Sequence, residues 1–298
     1  MEKRIRIAVL LSGRTRNVEH TTQRIISNFN SSGVDVDFFA HTWDDDFSFT
    51  NEEYDNELLS SGGVLSSEFL RGSLVQYSPA MSDIKYFSPK KYCITSYNEI
   101  IDEHETMRSS ISMANSMLTI GYLAQTASFD HAARCLRQYV KDTGTHYNYV
   151  LKWRYDLVTD TIHPNSFIPW LKNINDGEMY FQSVGTSSLT DTWFASTMNT
   201  AGWAFRHINP EFKRAFRDRM STNHPDYQVF ECNLRAAIDR IKVKPLSINR
   251  PPFVTAIFRE GCNPDDPVGV IHDFNVSDWI NIGWEQLVIK DDHGITRI

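Results

Sequence analysis

The N-terminal part of the chain has a hydrophobic pattern that predicts a strand, a helix and a second strand. Residues 7–11 are a continuous apolar run that stops at Ser12 and Gly13, where a turn is favoured. The apolar positions of the helical pattern that follows are Val18, Ile25, Ile26 and Phe29. Residues 34–43 form the second apolar run. Such a succession within about 40 residues is typical of a βαβ unit, so the two strands are predicted to be parallel.

A longer helical pattern spans residues 109–140, with small and apolar side chains on several sides. This pattern predicts a helix buried between a sheet and another layer. Its length leaves two interpretations open, either two helices or one helix with a break near Ser128. The pattern ends at Gly144, a residue type that is favoured at helix ends.

Residues 149–160 predict a buried strand that runs into a polar loop. Lys152, Arg154 and Asp156 interrupt the apolar run and share one face, because side chains alternate along a strand. One interpretation is a solvent-facing stripe on an edge strand, with Arg154 and Asp156 as an ordinary ion pair. The other is a cation and an anion directed into a cleft where the strand ends, which is where open α/β sheets bind ligands.

The remaining segments complete an α/β pattern. Residues 47–107 are rich in polar residues and predict an irregular insertion with short helices and a strand near residues 92–94. Further elements are expected as a brief strand at 179–181, two helices between 200 and 241, and a strand at 243–248. The predicted fold class is α/β, with a mixed and mostly parallel sheet flanked by helices.

Composition and charge limit the class of protein. The chain has 298 residues, which is long enough to bury a full core. Its hydrophobic fraction of 41% argues against disorder. The formal net charge of -7 argues against a strongly basic nucleic-acid-binding protein, although residues 206–219 form a local basic region. The domain count that this length allows is one large domain or two modest ones.

The four cysteines are scattered and form no zinc-binding pattern, which favours a reducing compartment. Cys135 lies within the long helical pattern, where a small buried thiol is the usual explanation. The apolar run at residues 7–11 is too short for a secretory leader. No stretch of the sequence approaches the ~20 consecutive apolar residues that a membrane-spanning helix needs. The sequence therefore predicts a soluble, cytoplasmic protein.

The loop after the first predicted strand contains Ser12, Gly13, Arg14 and Arg16. It lies between the carboxyl end of a strand and the start of a helix, which is the ligand-binding edge of βαβ units. Two arginines and the free amides of a helix suit a phosphate group. The alternative is a solvated loop whose arginines only aid solubility. We favour the phosphate site, because both arginines fall at the correct edge.

Other candidates are single residues. Trp43 ends the second strand and Asp44 follows it; there Trp43 would stack on a base and Asp44 would bind ribose hydroxyls, with an Asp-rich turn as the alternative. Asp191 precedes an apolar pair in a predicted loop and is either a cleft carboxylate or a turn or cap residue. Asp226 is expected in the first turn of a helix, where the dipole favours a carboxylate. His272 is a further candidate metal ligand.

The motifs GxxxxGK[ST], GxGxxG, HExxH and GxSxG do not occur, so ATPase, dinucleotide oxidoreductase, zincin and α/β-hydrolase functions lose their simplest support. The chain instead resembles a group of GT-A-like nucleotide-sugar glycosyltransferases. That group has an IAVLLSGxxR strand and loop, a DVFxHTW strand and a central YDxVxxxRxDL strand. The matching segments here are residues 7–16, 36–43 and 147–157, and residues 191–196 are a weaker match.

The resemblance implies a GT-A-like (Rossmann-like) fold in a single domain over residues 1–298. Within it, residues 47–107 are the insertion, 109–205 the central catalytic half and 206–298 the acceptor-side C-terminal region. The resemblance also implies a D-x-D motif after the central strand that holds the donor diphosphate through Mn²⁺ or Mg²⁺. Here Arg154 and Asp156 occupy that place. Either Arg154 supplies part of the cation's charge, or Asp156 holds the metal with water and phosphate oxygens.

The implied reaction moves a sugar from a nucleotide-diphosphate donor to an acceptor hydroxyl. Arg14, Arg16 and Arg154 would stabilise the leaving phosphate, and Asp191 or Asp226 would take the acceptor's proton. The acceptor is either a glycan or small molecule, or hydroxymethylcytosine in phage-type DNA, which takes glucose or arabinose. The competing hypothesis is a non-catalytic nucleotide- or carbohydrate-binding module on the same scaffold.

Overall fold

The computed structural model describes residues 4–15, 18–76, 80–108, 116–159, 162–184, 188–222, 230–248, 255–257, 288–291 and 294–297. The strands in these residues are β1 (Arg6–Ser12), β2 (Asp35–Trp43), β3 (Asp45–Phe47), β4 (Leu74–Gln76), β5 (Lys91–Thr95), β6 (Tyr149–Trp153), β7 (Leu157–Thr159), β8 (Glu178–Val184), β9 (Ser188–Thr197), β10 (Lys244–Ile248), β11 (Thr255–Ile257), β12 (Val288–Asp291) and β13 (Gly294–Arg297). The helices are α1 (Val18–Ser31), α2 (Asn51–Ser60), α3 (Ser67–Gly72), α4 (Ala80–Lys85), α5 (Asn98–Arg108), α6 (Ser116–Thr143), α7 (Pro164–Lys172), α8 (Met198–Ser221) and α9 (Phe230–Arg240).

Seven strands form the central sheet, in the order β5-β2-β1-β6-β9-β8-β10. The four strands β5, β2, β1 and β6 are parallel, and β10 is parallel to β8. Only β9 runs antiparallel to its neighbours within this sheet. The predicted βαβ unit is confirmed as β1, α1 and β2. The predicted fold class is also confirmed, since a mixed, mostly parallel, Rossmann-like sheet lies between helices.

The register of the parallel strands aligns their carboxyl ends. Ser12 at the end of β1 pairs with His41 of β2, and Trp43 at the end of β2 pairs with Thr95 of β5. Leu11 pairs with the last residue of β6. Polar loops that follow β1, β2, β5 and β6 therefore emerge at one edge of the sheet, which we call the carboxyl edge.

Helices cover both faces of the sheet, and β1 alternates between them. Ile7, Val9 and Leu11 belong to the core cluster that contains the buried side chains of α1 and α7. Ala8 and Leu10 belong to the cluster that contains those of α6, α8 and α9. Burial on both faces explains the unbroken apolar run of this strand, because neither face needs polar side chains.

The helix α6 is continuous over Ser116–Thr143, so the expected division or break near Ser128 is wrong. Ser128 is fully buried, and its hydroxyl contacts the loop after β1 and a side chain of β2. A serine hydroxyl weakens a helix when it competes for the helix backbone. Here tertiary partners hold the hydroxyl, which explains why the helix is not interrupted.

The segment of residues 47–107 begins at the last residue of β3, contains α2, α3, β4, α4 and β5, and ends within α5; β3 and β4 form an antiparallel pair. The strand predicted near residues 92–94 is confirmed as β5, which forms one end of the central sheet. This segment returns the chain to the carboxyl edge twice, once at β3 and again after β5. It therefore contributes side chains to the same region as β1 and β6.

The second half of the chain follows the predicted order of elements. The brief strand is confirmed as β8, the two helices as α8 and α9, and the following strand as β10. Within the described stretches, every helix falls short of the length or the apolar character that crossing a membrane requires.

Candidate functional site

A cleft of about 400 Å³ lies at the carboxyl edge. Its lining residues come from the ends of β1, β2 and β6, from α6 and from β3 and the segment after β5: Ser12, Gly13, Arg14, Trp43, Phe47, Tyr97, Ile120, Gly121, Ala124, Gln125, Lys152, Arg154, Tyr155 and Asp156. The structure thus brings together six residues predicted to bind the donor: Ser12, Gly13, Arg14, Trp43, Arg154 and Asp156. Their role in binding stays a prediction.

The loop after β1 is held in place by contacts of Gly13 and Arg14. Gly13 has a φ of +116°, a conformation that residues with a Cβ rarely adopt. Its N–H donates a 2.6 Å hydrogen bond to the Ser128 hydroxyl. Arg14 donates from Nε to the Tyr97 hydroxyl at 3.1 Å and forms a 2.5 Å ion pair with Asp46. These contacts fix the Arg14 guanidinium at the wall of the cleft.

The turn after β6 carries an ion pair. Arg154 donates from Nε and Nη2 to the two carboxylate oxygens of Asp156, at 2.8 Å and 2.7 Å. Between them, Tyr155 is buried and its hydroxyl donates to the His41 carbonyl at 3.1 Å. The Tyr155 carbonyl accepts from the Thr21 hydroxyl at 2.7 Å. The turn is thus tied to both β2 and α1, so the ion pair has a fixed position.

This arrangement decides between the two interpretations of the central segment. β6 lies between β1 and β9, so the edge-strand interpretation is wrong. The ion pair that it expected does form, but it lines the cleft. The strand also ends at Trp153, so Arg154 and Asp156 belong to a turn rather than to one face of the strand.

Lys152 is the cleft residue whose importance the sequence analysis underestimated. It is only 4% exposed and lines the cleft. Its place on the polar face of the strand was visible from alternation, but it was not predicted to bind the donor. Together with Arg14 and Arg154 it gives three cations, against the carboxylates of Asp156 in the lining and of Asp46, which pairs with Arg14. The cleft therefore favours an anionic ligand.

Three aromatic side chains form a wall of the cleft. The ring of Tyr97 lies 4.5 Å from that of Trp43 and 5.0 Å from that of Phe47, measured between centroids. Trp43 is 2% exposed, and a second neighbour, His41, packs edge-on against it at 4.8 Å. Sequence reasoning missed Tyr97 and Phe47, because an irregular segment gives no period that would place them. The only available signal was their aromatic character.

Asp44 does not line the cleft, although it follows Trp43 directly. Its Oδ1 is buried and has no hydrogen-bond partner among the described residues. Desolvation, and then the charge of neighbouring Asp45, raise the pKa of Asp44 above its ordinary value. Its predicted role with a ribose stays a prediction.

The remaining predicted residues lie beyond the described side chains. Asp191 is in β9 rather than in a loop, and its side chain is outside the described part of the structure. β9 pairs antiparallel with β6 through Phe194 and Lys152, so Asp191 stands toward the carboxyl edge. Arg16, Asp226 and His272 lie outside the described residues: their roles remain predictions.

The described residues of the cleft do not fit a divalent cation. Mg²⁺ and Mn²⁺ prefer carboxylate, carbonyl and water oxygens. Both oxygens of Asp156 accept from Arg154, and the other charged lining residues are cations. Elsewhere in the described part of the chain, no three His, Cys, Asp or Glu residues are grouped to hold a metal.

No protein-family model and no curated protein sequence matches the chain. Among solved structures, the chain is similar to the apo form of mouse xyloside xylosyltransferase 1. The similarity has a TM-score of 0.36 and 8% sequence identity, and it covers 82% of this chain and 84% of that one. The function proposed below is therefore based on the cleft and not on this similarity.

Proposed function

We propose that the protein is a glycosyltransferase that takes a sugar from a nucleotide-diphosphate donor. The observation that carries this function is the convergence of Arg14, Lys152 and Arg154 around one cleft at the carboxyl edge. Open α/β sheets bind their ligands at this edge. A volume of about 400 Å³ lies within the range of small-molecule sites.

The donor diphosphate would lie against these three cations. Arginine binds phosphate oxygens in planar, two-pronged contacts, and lysine acts as a compact charge. As the bond between the sugar carbon and the phosphate oxygen breaks, negative charge grows on the leaving diphosphate. Cations that are already fixed around it stabilise this charge. Lys152 is the most buried of the three, so water screens its charge least.

The aromatic wall would hold the base of the nucleotide. Phe47, Tyr97 and Trp43 all line the cleft, and the Tyr97 ring packs against both of the others. An aromatic surface favours a flat heterocycle through stacking and burial. The predicted stacking of Trp43 on the base stays a prediction, now shared with Phe47 and Tyr97.

The acceptor hydroxyl gives its proton to a carboxylate as its oxygen bonds to the sugar carbon. We favour Asp191 for this role, because β9 carries it toward the carboxyl edge beside β6. Asp226 is the alternative. Asp156 is less suited, since both of its oxygens already accept hydrogen bonds from Arg154.

We favour a glycan or a small hydroxyl compound as the acceptor over hydroxymethylcytosine in phage-type DNA. The DNA hypothesis drew on the basic region of residues 206–219. Two of its cations are neutralised by carboxylates, since Lys213 pairs with Glu103 and Arg214 pairs with Glu211. The formal net charge of -7 also disfavours binding to polyanionic DNA. Salt-dependent binding to duplex DNA would reverse this preference.

One observation favours a second candidate, a non-catalytic nucleotide- or carbohydrate-binding module. The carboxylate among the described lining residues, Asp156, is engaged by Arg154. A pure binding protein needs no further carboxylate, whereas the enzyme needs Asp191 or Asp226. Release of free sugar from a matching sugar nucleotide, measured in wild type and in Asp191→Asn, separates the two functions. Turnover that Asp191→Asn abolishes without loss of nucleotide binding identifies the enzyme.

Calorimetric titration with a panel of nucleoside diphosphates and inorganic pyrophosphate tests the proposed site. The double variant Arg154→Met/Asp156→Asn removes the ion pair while keeping its volume. The control is Arg71→Met, which removes an arginine that pairs with Asp102 on the surface of the insertion.

We expect wild type and Arg71→Met to bind a nucleoside diphosphate equally. The double variant should bind it at least about tenfold more weakly, since each charged hydrogen bond contributes about 1.5–3 kcal/mol. Binding of none of the diphosphates by wild type, or equal binding by all three proteins, would overturn the proposed function.

A further inference from the structure

Directly beneath the loop after β1 lies a polar cluster that the proposed reaction does not use. His41 and Ser128 are both fully buried. The His41 Nδ1 is 2.7 Å from the Ser128 hydroxyl, and its Nε2 is 2.8 Å from the Thr95 hydroxyl. The Ser128 hydroxyl also accepts the N–H of Gly13 at 2.6 Å. One side of this cluster is thus bonded to the backbone that carries Arg14 into the cleft.

We assign the order of donors and acceptors in which both hydroxyl protons of the cluster have an acceptor. Gly13 N–H is a donor, so Ser128 accepts it and directs its own proton to His41 Nδ1, its other hydrogen-bond partner in the described residues. In this order Nδ1 of His41 accepts and carries no proton. The single proton of the neutral ring is then on Nε2, which donates to the Thr95 hydroxyl. The Thr95 hydroxyl then donates to Glu99 at 3.4 Å.

The surroundings of His41 keep its ring neutral. Burial, and then the charge of His131, lower the pKa of His41 well below its ordinary value. His131 stacks on His41 at 4.7 Å and bonds Glu99 at 2.7 Å. Cys93 is opposite His41 in the register of β2 and β5, and the Tyr155 hydroxyl bonds the His41 carbonyl. A neutral ring has one bare nitrogen, as the hydrogen bond from Ser128 requires.

We propose that His41 and Ser128 are positioning residues that hold the Gly13 peptide, and through it Arg14, in the orientation that binds the donor diphosphate. This inference rests on the proposed function. A glycine with a φ of +116° has no side chain to hold its conformation. The Ser128 hydroxyl, which is held by helix α6, accepts the Gly13 N–H and so fixes the Gly13 peptide. His41 of β2 orients that hydroxyl. Neither residue touches the diphosphate in this assignment.

The variant Ser128→Ala tests the proposal because it removes only the hydroxyl. Thr126→Val is the matched control, since it removes a buried hydroxyl of the same helix whose hydrogen bonds among the described residues go to the helix carbonyls of Tyr122 and Leu123. The first readout is hydrogen exchange of the Gly13 amide, measured by NMR on glycine-labelled protein. The second is the Kd for inorganic pyrophosphate.

We expect Ser128→Ala to speed exchange of the Gly13 amide and to weaken pyrophosphate binding about 3- to 10-fold. Thr126→Val should change neither. Unchanged Gly13 exchange in Ser128→Ala, or an equal change in Thr126→Val, would overturn the proposal. So would an unchanged Kd for pyrophosphate in Ser128→Ala.

The nitrogen NMR signals of the His41 ring give a readout that a general loss of stability would not reproduce. We expect a neutral ring in wild type with its proton on Nε2. A proton on Nδ1, or a charged ring at neutral pH, would contradict the assigned order of hydrogen bonds. If wild type binds no pyrophosphate, the proposed function fails. Faster Gly13 exchange in Ser128→Ala alone would then still show that the pair holds the loop.

Discussion

Two clusters at opposite edges of the central sheet use the same kinds of residue with different results. At the amino edge, Asp37 accepts hydrogen bonds from Arg6 at 2.5 and 2.9 Å and from the Tyr147 hydroxyl at 2.8 Å. Lys90 lies 3.5 Å from the same carboxylate. The Arg6 guanidinium also lies 5.2 Å from the centroid of the Tyr147 ring.

At the carboxyl edge, Arg14 makes a matching set of contacts with a tyrosine and an aspartate, Tyr97 and Asp46. Here, however, Lys152 and Arg154 join it around an open volume. The amino-edge cluster is centred on a carboxylate whose donors surround it, whereas the carboxyl-edge cluster surrounds a cleft with cations. Residue types alone therefore do not identify a binding site. What distinguishes the two clusters is their position relative to the strand ends.

The largest expected effect is on stability at the amino edge. Asp37→Ala leaves Arg6, Lys90 and the Tyr147 hydroxyl without their shared acceptor. Because the side chains of Arg6 and Lys90 are 36% and 46% exposed, water compensates part of the loss. We expect the free energy of unfolding to fall by about 2–3 kcal/mol in urea titrations, with unchanged pyrophosphate binding by the folded protein. A weaker affinity in this variant would remove the distinction between the two edges.

The next effect is on binding at the carboxyl edge. Lys152→Met should weaken pyrophosphate binding about tenfold or more, because it removes the most buried cation of the cleft. The matched control is Lys90→Met at the amino edge, which should leave the Kd unchanged. Equal Kd values for both variants in calorimetry would contradict the assignment of Lys152.

A smaller effect concerns pH. The pKa of His41 is lowered on folding, so below its ordinary value of 6.5 the unfolded chain binds a proton that the folded protein excludes. Stability from this residue is therefore present above about pH 6.5 and is lost as pH falls, by at most ~1.4 kcal/mol per pH unit. His41→Gln should reduce the slope of unfolding free energy against pH between 5 and 6.5. An identical slope would show that His41 is charged in the folded protein.

The smallest expected effect is that of metal removal. Because cations of the chain itself surround the cleft, EDTA should change the Kd for a nucleoside diphosphate by less than about twofold. The measurement is calorimetry before and after dialysis against EDTA, with Mn²⁺ added back as the control. Loss of binding that Mn²⁺ restores would instead support the alternative in which Asp156 holds a metal.

The sequence predicted the elements whose hydrophobic period is strong, and it predicted the edge at which their loops meet. The apolar run of residues 7–11 and the pattern after it define β1 and α1, and therefore place Arg14. Tyr97 and Phe47 were missed because their positions depend on tertiary contacts of an irregular segment. Ser128 was interpreted as a helix break, since its partners, His41 and Gly13, are distant in sequence. Local pattern thus predicts the cations of the cleft better than it predicts what holds them.

A crystal structure with a bound nucleoside diphosphate would test the central claim most directly. We expect the two phosphates to lie within hydrogen-bonding distance of Arg14, Lys152 and Arg154, and the base to contact Phe47 and Tyr97. A diphosphate bound elsewhere on the molecule, with this cleft empty in the same crystal, would contradict the account.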